Sequence, residues 1–306
     1  MPYPFIAAVD LGASNLRIAI AGAGADGAIE ARRAEKLPAG EPAAVLARIN
    51  RTIDELARGV WVNAQPVAFG VVLPGAVDPL RGTAASVANL PGWDDVPIAS
   101  MLGGERGIPV TIENDANAAA IGEGWQGAAR GLRDYVFIAL GTGIGAGVVI
   151  DGRLHRGSNF LAGEVAFFPM TREQLRAGDW EHCLEGQCGG RAAARAAVEL
   201  LGPAATAADL FEAARAGKPE AAEWLARTQE YLAMAVVDIA ALLDPQAIVF
   251  GGGVIAAQGE GFLAPIRDMA LRCTPAKPKI VMSELGADAQ IAGALKLALD
   301  RTEVPA

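Results

Sequence analysis

Apolar and polar positions along the chain fall into short unbroken runs separated by turn residues, interleaved with runs of helical spacing. Residues 5–9 form an apolar run, LGASN follows, and residues 16–21 form a second run. Ile29–Lys36 reads as a third strand, with turn residues between. Val45, Leu46, Ile49, Ile53 and Leu56 share one helical face across 43–58. Residues 67–73 and 110–112 read as strands, and 116–126 as a helix of small residues. This alternation of β and α predicts a layered α/β domain.

A second set of strands begins at Tyr135. VFIALGTG runs from a strand into a glycine turn, and AGVVIDGRL returns from it, with Asp151-Gly152 as a further turn. Residues 191–243 are mostly helical and rich in alanine, with a stop at Gly202-Pro203. Residues 247–250 form a strand entering Gly251-Gly252-Gly253, and predicted helices at 263–273 and 287–299 flank a strand at Lys279–Met282. The pattern strand, glycine turn, strand occurs twice, as VDLGASNLRIAI and as IALGTGIGAGVVI. The period is too long for a solenoid. It predicts two related lobes with a cleft between them, where small-molecule sites tend to lie.

Composition narrows the function. At 306 residues, 52% hydrophobic and 20% charged, the chain has material for a packed core in one large or two medium domains. A net charge of −9 with no long basic run argues against nucleic acid as a partner. A nucleotide remains open, because backbone N–H groups and Mg²⁺ can hold one. Cys183, Cys188 and Cys273 are too few for a disulfide framework. The start, MPYPFIAAVD, has no basic segment or cleavage pattern and reads as no signal peptide. The longest apolar run, 231–243, is broken by Asp238 and stopped by Asp244-Pro245, too short to cross a bilayer. The expectation is a soluble cytoplasmic protein with no membrane partner.

The candidate chemistry lies in the turns. GAGADG at 22–27 matches a dinucleotide fingerprint in letters, but AIEARRAEK after it reads as a strand where a helix is required. No P-loop pattern occurs. Asp10 ends a strand before Gly12, Ser14 and Asn15; small residues with free N–H groups can wrap a phosphate, and Asp10 can hold Mg²⁺ directly or through water, although a plain hairpin turn has the same letters. Gly141, Thr142 and Gly143 form a matching turn that lets backbone approach a ligand closely. Glu113-Asn114-Asp115-Ala116-Asn117 places acids and amides where a strand becomes a helix. One N-cap needs one residue. The surplus suits a carboxylate that takes a hydroxyl proton and an amide that orients the hydroxyl. Glu164, alone in LAGEVAFFPM, needs a partner if buried. His182, Cys183 and Cys188 do not have the spacing of a structural zinc site.

In order, VDLGASNLR, VLPGAVDP, ANLPGW, ENDANAAAIGE, LGTGIGAGVVIDGRL, GEVAF, CLE and FGGGV span nearly the whole chain. Together they resemble the ROK family of bacterial sugar kinases, repressors and related proteins, within the actin-like ATPase superfamily. The resemblance implies two actin-like (ribonuclease H-like) lobes: a small one over 1–115, to which a last helix at about 288–303 returns, and a large one over 116–287. It implies ATP and Mg²⁺ as cofactors. Asp10, Gly12, Ser14 and Asn15 match the first phosphate element, with Asp10 toward Mg²⁺; Gly141, Thr142 and Gly143 match the second, and Gly251, Gly252 and Gly253 the adenosine side. Asp115 matches the catalytic base and Asn114 its sugar-binding partner. Glu164 and Glu185 match further sugar-hydroxyl ligands, and Gly75 and Asn89 line the sugar pocket.

The sequence departs from the family pattern at one informative place. Where the family commonly shows G-E-x-G-H, this chain has Gly163-Glu164-Val165-Ala166-Phe167. The histidine serves both sugar and zinc in many members, and the accompanying C-x-C pair is missing too, so no structural zinc is expected. Phe167 takes the place of a hydrogen-bonding group beside the sugar and bears on selectivity. The resemblance implies phosphorylation of a hexose at its primary hydroxyl, glucose to glucose 6-phosphate first. Fructose, mannose, allose, an amino sugar or a cyclitol are alternatives, as is a sugar-binding protein without catalysis. The family's repressors carry a helix-turn-helix ahead of the kinase-like part, for which this chain leaves no room before its first strand. The resemblance also allows a homodimer.

Overall fold

The computed structural model describes residues 3–302 apart from 13, 25, 39, 88–91 and 179–181. The chain divides into two compact units. The first comprises Met1–Arg130, Arg156–Leu161 and Asp288–Ala306, the second Gly131–His155 and Ala162–Ala287. The first unit thus runs past Asp115 to Arg130, because the helix that begins at Asp115 packs against the last helix of the chain.

The first unit is built on strands β1 (Tyr3–Leu11), β2 (Asn15–Gly22), β3 (Ile29–Lys36), β4 (Ala64–Leu73), β5 (Ala76–Asp78), β6 (Thr83–Ser86) and β7 (Val110–Asn114). Its helices are α1 (Pro42–Val60), α2 (Ile98–Gly103) and α3 (Asp115–Gln126). One five-stranded sheet has the order β3-β2-β1-β4-β7. The β1–β2 and β2–β3 pairs are antiparallel, and β1–β4 and β4–β7 are parallel. GAGADG therefore falls between two antiparallel strands and is followed by a strand, where a dinucleotide fingerprint needs a helix. Strands β5 and β6 form a separate hairpin.

Alternation along β1 sends side chains to opposite faces, and both faces are covered. Phe5, Ala7 and Val9 pack with Val45, Leu46, Ile49 and Ile53 of α1. Ile6 and Ala8 pack with Ala118 of α3 and with Ile291, Leu295 and Ala298. The last three belong to the final helix, Ala289–Leu299. That helix approaches α3 so closely that a Cβ on Gly293 would stand 1.8 Å from the Ala118 carbonyl oxygen. Only the absence of a side chain permits this contact.

The second unit repeats the plan with β8 (Tyr135–Leu140), β9 (Ile144–Ile150), β10 (Arg153–Leu154), β11 (Ala247–Gly251) and β12 (Lys279–Met282). Its helices are α4 (Arg172–Ala177), α5 (Leu184–Cys188), α6 (Gly190–Leu201), α7 (Ala207–Arg215), α8 (Pro219–Leu243), α9 (Gly253–Gln258) and α10 (Glu260–Cys273); the final helix of the chain is then α11. The sheet order is β10-β9-β8-β11-β12, with the first two pairings antiparallel and the last two parallel. Both units thus carry a meander of three strands followed by two parallel additions, which is the duplication read from the two glycine turns. Among the described residues no helix is long and apolar enough to cross a membrane.

Candidate active site

Asn114 ends β7 and caps α3. Its Oδ1 accepts hydrogen bonds from the Ala116 N–H at 2.9 Å and the Asn117 N–H at 3.3 Å, the donors a helix start leaves unpaired. Its Nδ2 donates to the Gly75 carbonyl at 3.1 Å, so both ends of the amide are fixed. Gly75 makes this approach in the tight turn between β4 and β5, with φ 87°. Asp115 is the first residue of α3 and is half-buried. Its Oδ1 accepts the Ala116 N–H at 2.8 Å, and a carboxylate in the first helical turn is favoured by the helix dipole. The surplus over a single cap is therefore real: Asn114 suffices as the cap, and Asp115 stands beside it.

The first glycine turn joins β1 to β2. The Gly12 N–H donates to the Asn15 carbonyl at 2.9 Å, and Ser14 and Asn15 are exposed. The hairpin register sets Asp10 opposite Arg17. Arg17 Nε donates to Asp10 Oδ2 at 2.7 Å, and its Nη2 pairs with the same oxygen. Burial pushes the Asp10 carboxyl above its ordinary value, and Arg17 pulls against that rise. The second turn joins β8 to β9, closed by the Gly141 N–H to the Gly143 carbonyl at 2.9 Å. It leans on the start of α6, where the N–H groups of Gly190 and Arg191 donate to the carbonyls of Gly141 and Thr142 at 2.8 and 3.0 Å. Thr142 itself is exposed. Gly251, Gly252 and Gly253 carry β11 into α9; a Cβ on Gly252 would stand 2.5 Å from the Leu140 carbonyl oxygen, while one on Gly253 would meet nothing within 4 Å.

Glu185 lies on α5 and reaches the second turn. Its Oε2 accepts the Ile144 N–H at 2.9 Å, and its Oε1 is 3.5 Å from Arg191 Nη2. Glu164 precedes a short turn of 3₁₀ helix at Val165–Phe167. Among the described residues nothing hydrogen-bonds or ion-pairs with its carboxylate. Burial, and then the neighbouring charge of Glu185, push its carboxyl above the ordinary value. Phe167 closes that turn, three residues after Glu164, with 55% of its surface exposed, unusual for a phenylalanine.

Glu164 should therefore cost the unliganded chain stability. A carboxyl whose value is raised on folding binds its proton more tightly in the folded state. Stability then falls as pH rises above 4.5, the ordinary glutamate value. Glu164→Gln is expected to unfold at a higher temperature than the wild type near pH 7, with the gain closing below about pH 4.5. Thermal unfolding at both pH values checks it; equal midpoints near neutrality would mean that the acid is hydrated and unstrained.

Asn89 lies outside the described residues. Cys183 and Cys188 are buried, and burial raises the Cys188 thiol far above its usual range. Among the described residues no group of three or more His, Cys, Asp or Glu side chains is gathered as for a metal ion.

Three residues around the site escaped the reading of the sequence as site residues. Arg17 was legible in principle, since a hairpin that pairs Leu11 with Leu16 must pair Asp10 with Arg17. Glu113 shows in the sequence as part of the Glu113–Asn117 cluster, but its burial beneath the junction, 2% exposed near the end of VTIEN, does not. Arg156, whose Nε donates to Glu113 Oε2 at 2.7 Å, gives no local signal.

The repeated strand order, with a glycine turn after the first strand of each unit, defines a protein of the actin-like α/β class. The sequence model of the ROK family matches residues 6–301, and the chain belongs to that family. It is 41% identical over 206 residues to the bifunctional enzyme NanE/NanK of Brucella suis, a match that takes in 67% of this chain and 37% of that protein. The chain thus spans well under half the length of that relative. It is 31% identical over 263 residues to a glucokinase of Streptomyces coelicolor, covering 78% of this chain and 82% of that one. The crystal structure of a ROK family glucokinase from Streptomyces griseus, in complex with glucose and AMPPNP, superposes with a TM-score of 0.77 at 28% identity, over 97% of this chain and 99% of that chain.

Proposed function

We propose that this chain is an ATP-dependent hexose kinase that phosphorylates the primary hydroxyl, with glucose as its first substrate. The observation that carries the reading is the strand-to-helix junction. Asn114 is held at both ends of its amide, and Asp115 is presented next to it without being needed as the cap. In this reading Asp115 accepts the hydroxyl proton as the sugar oxygen attacks the terminal phosphorus of ATP in line. Asn114, Glu164 and Glu185 accept or orient other sugar hydroxyls, and Gly75 and Asn89 line that pocket. A sugar satisfies the unpaired Glu164 carboxylate by donating to it. The turns Gly12 to Asn15 and Gly141 to Gly143 offer backbone N–H groups to the phosphates, and Gly251 to Gly253 face the adenosine side. When bound, Mg²⁺ supplies charge neutralisation at the phosphates. Because Arg17 already engages Oδ2 of Asp10, that residue fits a Mg²⁺ contact through water better than direct coordination.

The exposed Phe167, three residues after Glu164, favours a second reading, a kinase for an amino sugar. An apolar face rewards an N-acyl methyl group and offers nothing to a hydroxyl. The test is a coupled ADP-release assay with Mg·ATP across hexoses, N-acylated and free amino sugars and cyclitols. Turnover highest on glucose supports the first reading, and on an N-acylated sugar the second. Tight sugar binding with no ATP turnover on any member would replace both with a sugar-binding protein.

A further inference from the structure

Glu113 is a buried carboxylate with every hydrogen bond aimed at the start of α3 or at one arginine. Its Oε1 accepts from the Asn114 N–H and from Asn117 Nδ2, each at 3.0 Å. Its Oε2 accepts from Arg156 Nε at 2.7 Å. Glu113 is 2% exposed, and Arg156 is 33% exposed by its side chain. A carboxylate this deeply buried is tolerable only with a cation and hydrogen bonds on both oxygens. Asn117 is 4% exposed, so the junction is braced from beneath as well as capped from above. Arg156 comes from a distant part of the chain, the segment Arg156–Leu161 that returns to the first unit after β10.

We propose that Arg156 is a positioning residue for the phosphoryl transfer. By pinning Glu113 it fixes the backbone at Asn114, and through that the direction in which the Asp115 carboxylate points. This rests on the reading of Asp115 as the base. A pair that merely staples the fold would be felt as lost stability. A pair that aims the base is felt as lost turnover, because a misplacement of about 1 Å is enough to cost up to 10²-fold.

Arg156→Gln, Arg156→Lys, Glu113→Gln and the double variant Glu113→Gln/Arg156→Gln are compared with the wild type in two readouts. One is steady-state kinetics on the sugar the panel identifies. The other is amide hydrogen exchange across residues 110–126 by mass spectrometry. Arg156→Gln is expected to lower kcat by roughly 10- to 100-fold with the KM for ATP within about twofold of wild type. Exchange at 114–117 should quicken while the rest of α3 stays protected. Arg156→Lys should recover part of the loss, and the double variant should be no worse than the worse single, since both act through one pair. A kcat within about twofold of wild type in Arg156→Gln overturns the proposal. So does a loss of kcat that tracks loss of folded protein, with exchange quickened throughout the unit. With an active wild type, unchanged protection at 114–117 in Arg156→Gln also overturns the positioning role. If the wild type turns over no sugar, it is the kinase reading that fails, and the positioning role falls with it.

Discussion

Asp115→Asn is expected to lower turnover by roughly 10²–10⁴-fold while leaving the fold and sugar binding in place. The expectation of a clean effect comes from the division of labour at the junction. Asn114 supplies the cap, so the helix start does not depend on Asp115. An asparagine Oδ1 can still accept the Ala116 N–H that Asp115 now takes at 2.8 Å. The substitution removes a group able to take a proton and a dipole interaction worth about 0.3–1 kcal/mol. Turnover on the preferred sugar, beside calorimetric sugar binding and thermal unfolding, separates these effects. Near-normal kcat in the variant would remove Asp115 from the mechanism.

Gly252→Ala is expected to destabilise the second unit by roughly 2–5 kcal/mol, the sum of overpacking and a left-handed backbone. At φ 94° the residue sits where side chains are strained, and its Cβ would meet the oxygen, carbon and nitrogen of Leu140 at 2.5, 2.6 and 2.8 Å. These are backbone atoms of a central strand, which cannot swing aside. Leu140 leads straight into the Gly141–Gly143 turn, so relief of the clash would displace the turn proposed to hold a phosphate. The KM for ATP should therefore rise along with the loss in denaturant midpoint. Gly253→Ala is the internal control. Its Cβ would meet open space, and its stability should stay within about 0.5 kcal/mol of wild type. Equal stability of the two variants would mean that the close approach of Gly252 to β8 is absent in solution.

The long, strongly patterned elements are legible in the sequence. The helix read at 43–58 is Pro42–Val60, the strand at 67–73 is the end of Ala64–Leu73, and Lys279–Met282 is unchanged. Their apolar faces are set by burial against the sheets, and burial is what periodicity records. The hairpin β5–β6 and the short helices α2, α4 and α5 were not legible, because so few residues cannot show a period. At the site, glycines and acids at strand ends drew notice because their chemistry conflicts with a plain turn or core. The ion pair beneath them did not. Arg156 and Glu113 lie 43 positions apart, and only the folded chain brings them together.

The return of α11 to the first unit reverses the order in which a growing chain can finish its parts. All residues of the second unit precede Asp288, so that unit can close as soon as its last strand has left the ribosome. The first unit, though made earliest, lacks the cover for one face of β1 and β4 until Ile291, Leu295 and Ala298 emerge. During synthesis Ile6, Ala8, Ala68 and Val72 therefore remain partly uncovered until that last helix is made. Three of these four are alanine or valine, and so small an apolar face is a modest invitation to aggregate while it waits.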